Sequence, residues 1–263
     1  MNTAVKIIKY ELQDVLRSKW VIGYAILFLL ITDFLLRFDG DTSRVILSLM
    51  NVNLTVIPLV SIMFGSLYLY TSREFIELLL SQPINRIHLY FGMYAGIAIP
   101  LSISIGMGIL IPFFYFGSLS VAALKSLFIL VGTGISLTLI FLAVSFLITI
   151  LNDERVKGLG ISILIWLFFT IIYDGLVLII VYVFGEYPLE KAVLSLSILN
   201  PIDLGRVLMM LEFDVSALMG YTGAVFQKFF GTVIGVWISL SSMALWTVAP
   251  LFLGLRRFKI KDF

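Results

Sequence analysis

Six long apolar stretches dominate this chain of 263 residues and decide what it can fold into. Each approaches or exceeds the roughly 20 residues that a helix needs to cross a bilayer core of about 30 Å. They run over Trp20–Leu36, Asn51–Tyr70, Phe91–Phe116, Leu124–Leu151, Leu159–Phe184 and Phe229–Leu253. Because the runs are continuously apolar, they indicate helices and not the alternating ~10-residue strands of a membrane barrel. We therefore predict an all-α polytopic membrane protein with six transmembrane helices.

The composition supports a lipid environment and excludes several functions. Hydrophobic residues make up 60% of the chain and charged residues 13%, against roughly 45–50% and about 25% in a typical soluble domain. The net charge of +2 gives no basic surface for nucleic acid. The chain has no cysteine and a single histidine, His88, which excludes disulfides, thiolate metal sites and multi-histidine metal sites. We predict no catalytic residue, no metal site and no cofactor.

The segments outside the spans define the domain organisation. Residues 1–19 carry apolar side chains at helical spacing, which predicts an amphipathic helix on the cytoplasmic membrane surface. A short soluble helix packed on a partner is the alternative. The transmembrane domain covers residues 20–253, and residues 254–263 form a basic cytoplasmic tail. Within the domain, the outer segment 185–228 holds two amphipathic runs, Ala192–Leu199 and Leu204–Leu211, which predict two short helices capping the outer end of the bundle.

Lysine and arginine positions predict the orientation, since cytoplasmic loops of membrane proteins are enriched in both. With the N-terminus in the cytoplasm, twelve of the 18 basic residues lie on the cytoplasmic side and six on the other. Six spans then place both termini in the cytoplasm. We expect a multi-pass protein of the bacterial or archaeal cytoplasmic (inner) membrane.

One carboxylate lies inside a predicted span. Asp174 follows Tyr173 in the fifth stretch, where a charged group costs about 2.5–3.5 kcal/mol on insertion scales. Two roles remain open for it: an acceptor of hydrogen bonds within the bundle, or a residue that, together with Tyr173, lines a transport route or dimer seam. An intramembrane aspartyl protease would need a second membrane aspartate, and the candidate Asp33 has Arg37 as a partner four residues later.

The loop between the second and third spans predicts a short helix. The run from Ser72 to Gln82 has early glutamates and an apolar ridge, and Pro83 ends it. A short helix at the membrane surface with an exposed apolar ridge suits docking into the groove of a partner protein. An ordinary interfacial turn is the alternative.

The residues Glu77–Arg86, followed by Phe91-Gly92, resemble the signature after the second span of ABC-2 type transporter permeases. The match departs at Met93, where the family often has lysine. The resemblance implies a dimeric permease, expected to be a homodimer, bound to two copies of a separate ABC ATPase subunit. It implies a cytoplasmic ATPase-coupling helix near residues 73–83, with the coupling residues Glu74, Phe75, Glu77, Leu78, Leu79, Gln82, Pro83 and Arg86.

A narrower resemblance is to the NosY permeases of transporters that support maturation of the copper enzyme nitrous-oxide reductase. It rests on Tyr173-Asp174 and on the run Leu199–Arg206, with Gly175 in place of a leucine. It implies contact with a periplasmic accessory protein through Asn200, Pro201, Asp203 and Arg206, and a sulfur species as cargo, with copper itself as the alternative. The residues alone also allow a plain turn, in which Pro201 ends one helix and Asp203 caps the next.

These observations together predict the transmembrane permease subunit of an ABC-2 type transporter, which couples ATP hydrolysis by a separate ATPase to export. The chain itself is predicted not to be an enzyme. Two alternatives stay open: a non-transporting membrane assembly or mechanotransmission protein on the same fold, and an intramembrane enzyme, which the scarcity of catalytic side chains disfavours.

Overall fold

The computed structural model describes residues 18–39, 41–116, 121–185, 189–212 and 233–261, together with Leu12 and Val15. Every regular element in these ranges is helical: α1 Lys19–Asp39, α2 Thr42–Thr71, α3 Arg73–Leu80, α4 Arg86–Phe116, α5 Val121–Leu151, α6 Arg155–Leu167, α7 Tyr173–Val183, α8 Glu190–Leu199, α9 Pro201–Glu212 and α10 Val233–Ile260. A π-helical turn, Phe168–Ile172, joins α6 to α7. The predicted N-terminal surface helix, apart from Leu12 and Val15, and the outer segment beyond α9 lie outside the described residues.

Six helical segments are long and apolar enough to cross a membrane: α1, α2, α4, α5, the continuous α6–α7 unit and α10. The predicted all-α fold with six spans is confirmed. All six spans are longer than the apolar runs suggested. The fifth begins at Arg155, and the last continues to Ile260, so most of the expected tail is helical.

The segment between the first two predicted spans, from Arg37 to Met50, is almost entirely helical. α1 ends at Asp39 and α2 begins at Thr42. Asp41 caps α2, because its Oδ1 accepts a hydrogen bond from the Ser43 amide at 2.9 Å. The first turns of α2 bury Val45, Ile46 and Leu49, although the polar residues Arg44 and Ser48 interrupt the apolar run there.

α5 is the centre of the bundle. It contacts α2, α4, α6, α9 and α10, which suits a helix that is apolar on every side. Polar side chains of its neighbours bond to its backbone: the Asn53 amide donates to the Leu130 carbonyl at 3.3 Å, and the Tyr94 hydroxyl donates to the Leu139 carbonyl at 2.8 Å. α2 approaches α5 closely at Gly65, where a Cβ would overlap the Ser145 side chain.

α8 and α9 form a bent pair, with an angle of 112° between their axes at the Asn200-Pro201 turn. Both predicted outer helices are present, but they do not lie across the end of the bundle. α9 packs against α2, α5 and α10, and a Cβ at Gly205 would lie 3.2 Å from Leu54 and 3.7 Å from Leu137. Leu137 is the seventeenth of the 31 residues of α5, so α9 reaches the middle of that span. Burial of its apolar side chains draws the pair inward.

Candidate functional site

The predicted coupling helix is present as α3, at the end of the bundle where the second span ends and the third begins. Ile76 is 3% exposed and fixes the helix to the core, and Leu79 packs against the same core. Leu78 is 57% exposed, and the side chains of Glu74 and Glu77 are also exposed. One face of α3 therefore holds the helix in place, and the other presents one large apolar side chain beside two acidic ones.

The residues after α3 have separate roles. Gln82 and Pro83 lie in the exposed turn that follows the helix, and Phe75 is half-buried. Arg86 turns away from this surface, because its Nη1 donates to the carbonyls of Phe258, Lys259 and Lys261 at 3.2, 3.0 and 2.8 Å. Arg86 therefore satisfies carbonyl groups at the end of the last span, which a helix leaves without partners.

An ion-pair network of side chains next to α3 was not predicted from the sequence. Asp153, in the link between the fourth and fifth spans, accepts from Lys261 Nζ at 2.7 Å and from Arg73 Nη2 at 3.2 Å. The hydrogen bond from Lys261 is the main reason why the pKa of Asp153 is lowered from its ordinary value of 3.8. The carboxylate is therefore ionised at neutral pH. The only sequence signal here was Arg73 four residues before Glu77, a pair separated by 3.4 Å.

A second constellation lies within the bundle, where α7 faces α9. Arg206 donates from Nη2 to Asp174 Oδ2 at 2.9 Å and from Nη1 to Asp203 Oδ1 at 2.9 Å. We call Asp174, Asp203 and Arg206 the charge cluster. The side chains are 31%, 11% and 30% exposed, respectively. The structure thus brings together three residues that the sequence had assigned to two different roles.

Hydrogen bonds around the Asn200-Pro201 turn place the charge cluster. The Asn200 amide donates to the Phe169 carbonyl in the π turn at 3.0 Å, and its Oδ1 accepts from the Ile202 amide at 3.0 Å. Asn200, and not Asp203 as expected, therefore caps α9, with Pro201 as the first helical residue. Asp203 is the third residue of α9, and its carboxylate accepts from Arg206 instead of capping the helix. The Tyr173 hydroxyl donates to the Leu196 carbonyl at 2.6 Å.

The residues predicted to contact an outer partner are mostly inside the protein. Asn200 is fully buried, Asp203 is 8% exposed, and Pro201 is buried. Their surroundings suit a structural role in holding α9 against α7 better than direct contact with a second protein. Phe169 lies at the level of this turn and is the fifteenth of the 29 residues in the fifth span.

A cavity of about 240 Å³ opens beside the charge cluster, between α7, α8 and α9. Its walls are mainly apolar, with Val177, Leu178, Val181, Val193, Val207 and Met210 around the charged groups and Ser197. Arg206 pairs with both carboxyl groups, so each has a cationic partner. Within the part of the chain that the structure describes, no three His, Cys, Asp or Glu side chains come together as metal ligands.

Comparison with known proteins agrees with this architecture. The model of a family described as "ABC-2 family transporter protein" matches residues 5–263. The chain is 26% identical over 272 residues to a Pseudomonas aeruginosa protein named "Probable ABC transporter permease protein NosY", covering 94% of this chain and 92% of that protein. A Stutzerimonas stutzeri protein of the same name is 25% identical over 238 residues, covering 82% and 84%. With nearly the whole sequence matched by the family, the chain belongs to the ABC-2 family of transporter proteins.

Proposed function

We propose that this permease couples ATP hydrolysis by a separate ABC ATPase subunit to export across the cytoplasmic membrane, with both of its own termini in the cytoplasm. The observation that carries the proposal is α3, a helix of eight residues fixed by Ile76 and presenting Leu78 at 57% exposure beside Glu74 and Glu77. An anchored helix that presents an exposed apolar side chain beside acidic ones fits a groove on another protein. ATP hydrolysis belongs to that partner, so the permease alone is expected to be inert.

The proposed assembly contains two copies of this chain and two ATPase subunits. The fifth span supports a homodimer, because none of its residues from Ile163 to Val183 is buried within the single chain. A helix so sparsely covered by its own chain offers a face for a second copy. A closing movement of the ATPase pair would then press on α3 in both copies and rock the two bundles.

The docking surface gives the first prediction. Leu78→Asp should abolish co-purification of the ATPase subunit, because it puts a charge into an apolar contact and removes the exposed ridge. Glu77→Arg should weaken it at least tenfold through charge reversal next to the same ridge. Binding is measured by pull-down of the co-expressed cognate ATPase from detergent-solubilised membranes.

The matched control for this experiment is Phe38→Asp. Phe38 is 76% exposed at the end of α1, far from α3 along the chain, so this variant should keep full ATPase binding. Monodisperse gel filtration of each variant shows that the permease is folded. Full retention of the ATPase by both Leu78→Asp and Glu77→Arg would rule out α3 as the docking helix.

For the cargo, we propose a sulfur species exported for copper-enzyme maturation, with an accessory protein on the periplasmic side. Similarity to the two proteins named NosY over most of the chain supports this, as does the Asn-Pro-x-Asp-x-x-Arg run at Asn200–Arg206. Because Asn200 and Asp203 are buried, the accessory protein would contact other residues of the outer segment. Deletion of the gene should leave the target enzyme without its copper–sulfur centre, and normal metal content would contradict the assignment.

A non-transporting mechanotransmission protein is the second candidate. It would use the same α3 and the same ATPase, so the docking experiment supports both functions equally. The cavity of about 240 Å³ beside the charge cluster favours transport, because a device that only transmits force needs no space within the bundle.

A further inference from the structure

Four elements of the chain meet at the end of the bundle that carries α3. They are α3 itself, the link between the fourth and fifth spans, the start of α4 and the end of α10. Asp153 in the link binds Lys261 Nζ at 2.7 Å and Arg73 Nη2 at 3.2 Å, and its carbonyl accepts from Arg73 Nη1 at 3.3 Å. We call Arg73, Asp153 and Lys261 the junction.

Both ends of the segment containing α3 are attached to the end of the last span. Arg73 is the first residue of α3 and reaches Lys261 through the Asp153 carboxylate. Arg86, the first residue of α4, donates directly to three carbonyls between Phe258 and Lys261. The segment from Arg73 to Arg86 is therefore attached to the end of α10 at both of its ends. Arg86 bonds to α10 directly, and Arg73 is connected to Lys261 through Asp153.

The junction also reaches the fourth and fifth spans. Lys261 Nζ donates to the Ile150 carbonyl in the last turn of α5 at 2.8 Å. Tyr70, at the end of the second span, donates from its hydroxyl to the Asn152 carbonyl at 2.8 Å, and a Cβ at Gly158 near the start of α6 would overlap the Tyr70 ring. The link that carries Asp153 is thus held between α2, α5, α6 and the tail.

These contacts contribute little as ordinary surface ion pairs, because Asp153 is 65% exposed and water screens its charge. Their value lies in geometry: one carboxylate receives two cations from elements that are distant in the chain. Because the link that carries Asp153 is bonded to both α3 and the end of α10, a displacement of one of these elements acts on the other through the link.

We propose that Asp153 is a positioning residue that joins the coupling helix to the last two spans, so that a push on α3 moves the fifth-span start and the end of α10 with it. The inference rests on the proposed function of α3 as the ATPase contact. It adds that a displacement of α3 is transmitted to the other spans through the junction.

The experiment uses the complex of the permease with its ATPase, and the absence of cysteine makes the chain suitable for spin labelling. Labels are placed at Ser81, the exposed residue directly after α3, and at Val156 in the first turn of α6, which is 85% exposed. Ser81 is not one of the proposed coupling residues, so Leu78 remains unmodified for docking. Labelled chains are diluted into unlabelled ones so that only distances within one chain are measured. In the otherwise unmodified chain, the Ser81–Val156 distance should be narrowly distributed and unchanged by ATP, because both elements move together.

Asp153→Asn should broaden that distribution at least twofold and make its centre shift on addition of ATP. Arg73→Gln should have the same effect, since it removes the guanidinium through which α3 binds the Asp153 carboxylate. The matched control is Glu154→Gln, an equal change of charge one residue away, and the conservative variant Asp153→Glu should restore the narrow distribution. The distance should also broaden in Asp153→Asn without the ATPase, which tests the junction independently of docking.

The outcomes separate the two proposals. If wild-type permease binds no ATPase, the proposed function of α3 fails and the inference falls with it. If the ATPase binds and Asp153→Asn keeps a narrow distance that ATP does not change, the junction is not the connection and only the inference is overturned. Unchanged ATPase binding with a broadened, ATP-dependent distance is the result expected.

Discussion

Replacing Arg206 by leucine should destabilise the folded chain by about 2–4 kcal/mol, which would be seen as a fall of roughly 5–12 °C in apparent Tm in detergent. Arg206 holds two carboxylates, Asp174 and Asp203, each at 2.9 Å. Removing the guanidinium leaves two neighbouring carboxyl groups without their cation in a largely apolar site. The expected loss is in the lower part of the range for broken buried pairs, because Arg206 and Asp174 keep 30% and 31% of their side chains exposed.

A triple variant separates charge from packing in this prediction. Adding Asp174→Asn and Asp203→Asn to Arg206→Leu should recover most of the lost stability, because the uncompensated charges are then gone. Asp174→Asn alone should cost less than Arg206→Leu, since Arg206 keeps Asp203 as its partner.

The control is an arginine in a weak pair. Arg44 lies 3.7 Å from Asp41, with side chains 73% and 54% exposed, so Arg44→Leu should change the free energy of unfolding by less than about 1 kcal/mol. Equal melting temperatures for Arg206→Leu and Arg44→Leu would show that the charge cluster has no special role in stability.

The six spans and α3 could be predicted because their signals are local. A continuous apolar run of sufficient length has few outcomes other than a transmembrane helix, and Pro83 confines the helix before it to residues ahead of that proline. The start of α2 was missed for a related reason. Its first turns bury only one face, so the run from Thr42 to Met50 lacks the continuous apolarity that marks a span.

The charge cluster and the junction could not be predicted, because each joins residues that are far apart in the chain. Asn200 reaches Phe169 over 31 residues, and Lys261 reaches Ile150 over 111. Asp174 was recognised as costly inside a span, but its partner depends on how α9 is inserted between the spans. That insertion depends on tertiary packing, and two amphipathic runs joined by an Asn-Pro turn are equally compatible with a cap on the surface of the bundle.

At the Asn200 turn, a single side chain of a short sequence motif connects two elements of the fold. The Asn200 side chain is fully buried. Its amide donates to the Phe169 carbonyl and its Oδ1 accepts from the Ile202 amide, both at 3.0 Å. Phe169 lies in the π turn, where the backbone hydrogen-bond register changes and a carbonyl can accept from another element. One side chain therefore caps α9 and attaches it to the middle of the fifth span.

Asn200→Leu should destabilise the chain by about 2–4 kcal/mol, because a side chain of similar size removes both bonds and leaves buried polar groups without these partners. Asn200→Ser should cost less, since a serine hydroxyl can still cap the helix but is too short to replace the amide at Phe169. The measurements are thermal melting in detergent and hydrogen exchange of the α8–α9 amides, which should speed up in the leucine variant before global unfolding.

Asn51→Leu is the matched control for this substitution. Asn51 is exposed, and its amide makes only a long bond of 3.5 Å to the Leu47 carbonyl of its own helix among the contacts described. We expect it to leave both the melting temperature and the exchange of α8–α9 unchanged. If Asn200→Leu behaved like Asn51→Leu, the apolar packing of α9 against α2 and α5 would be sufficient to hold the bent pair. The charge cluster would then be placed by that packing, and the polar bonds of the turn would have no part in positioning Arg206 against Asp174.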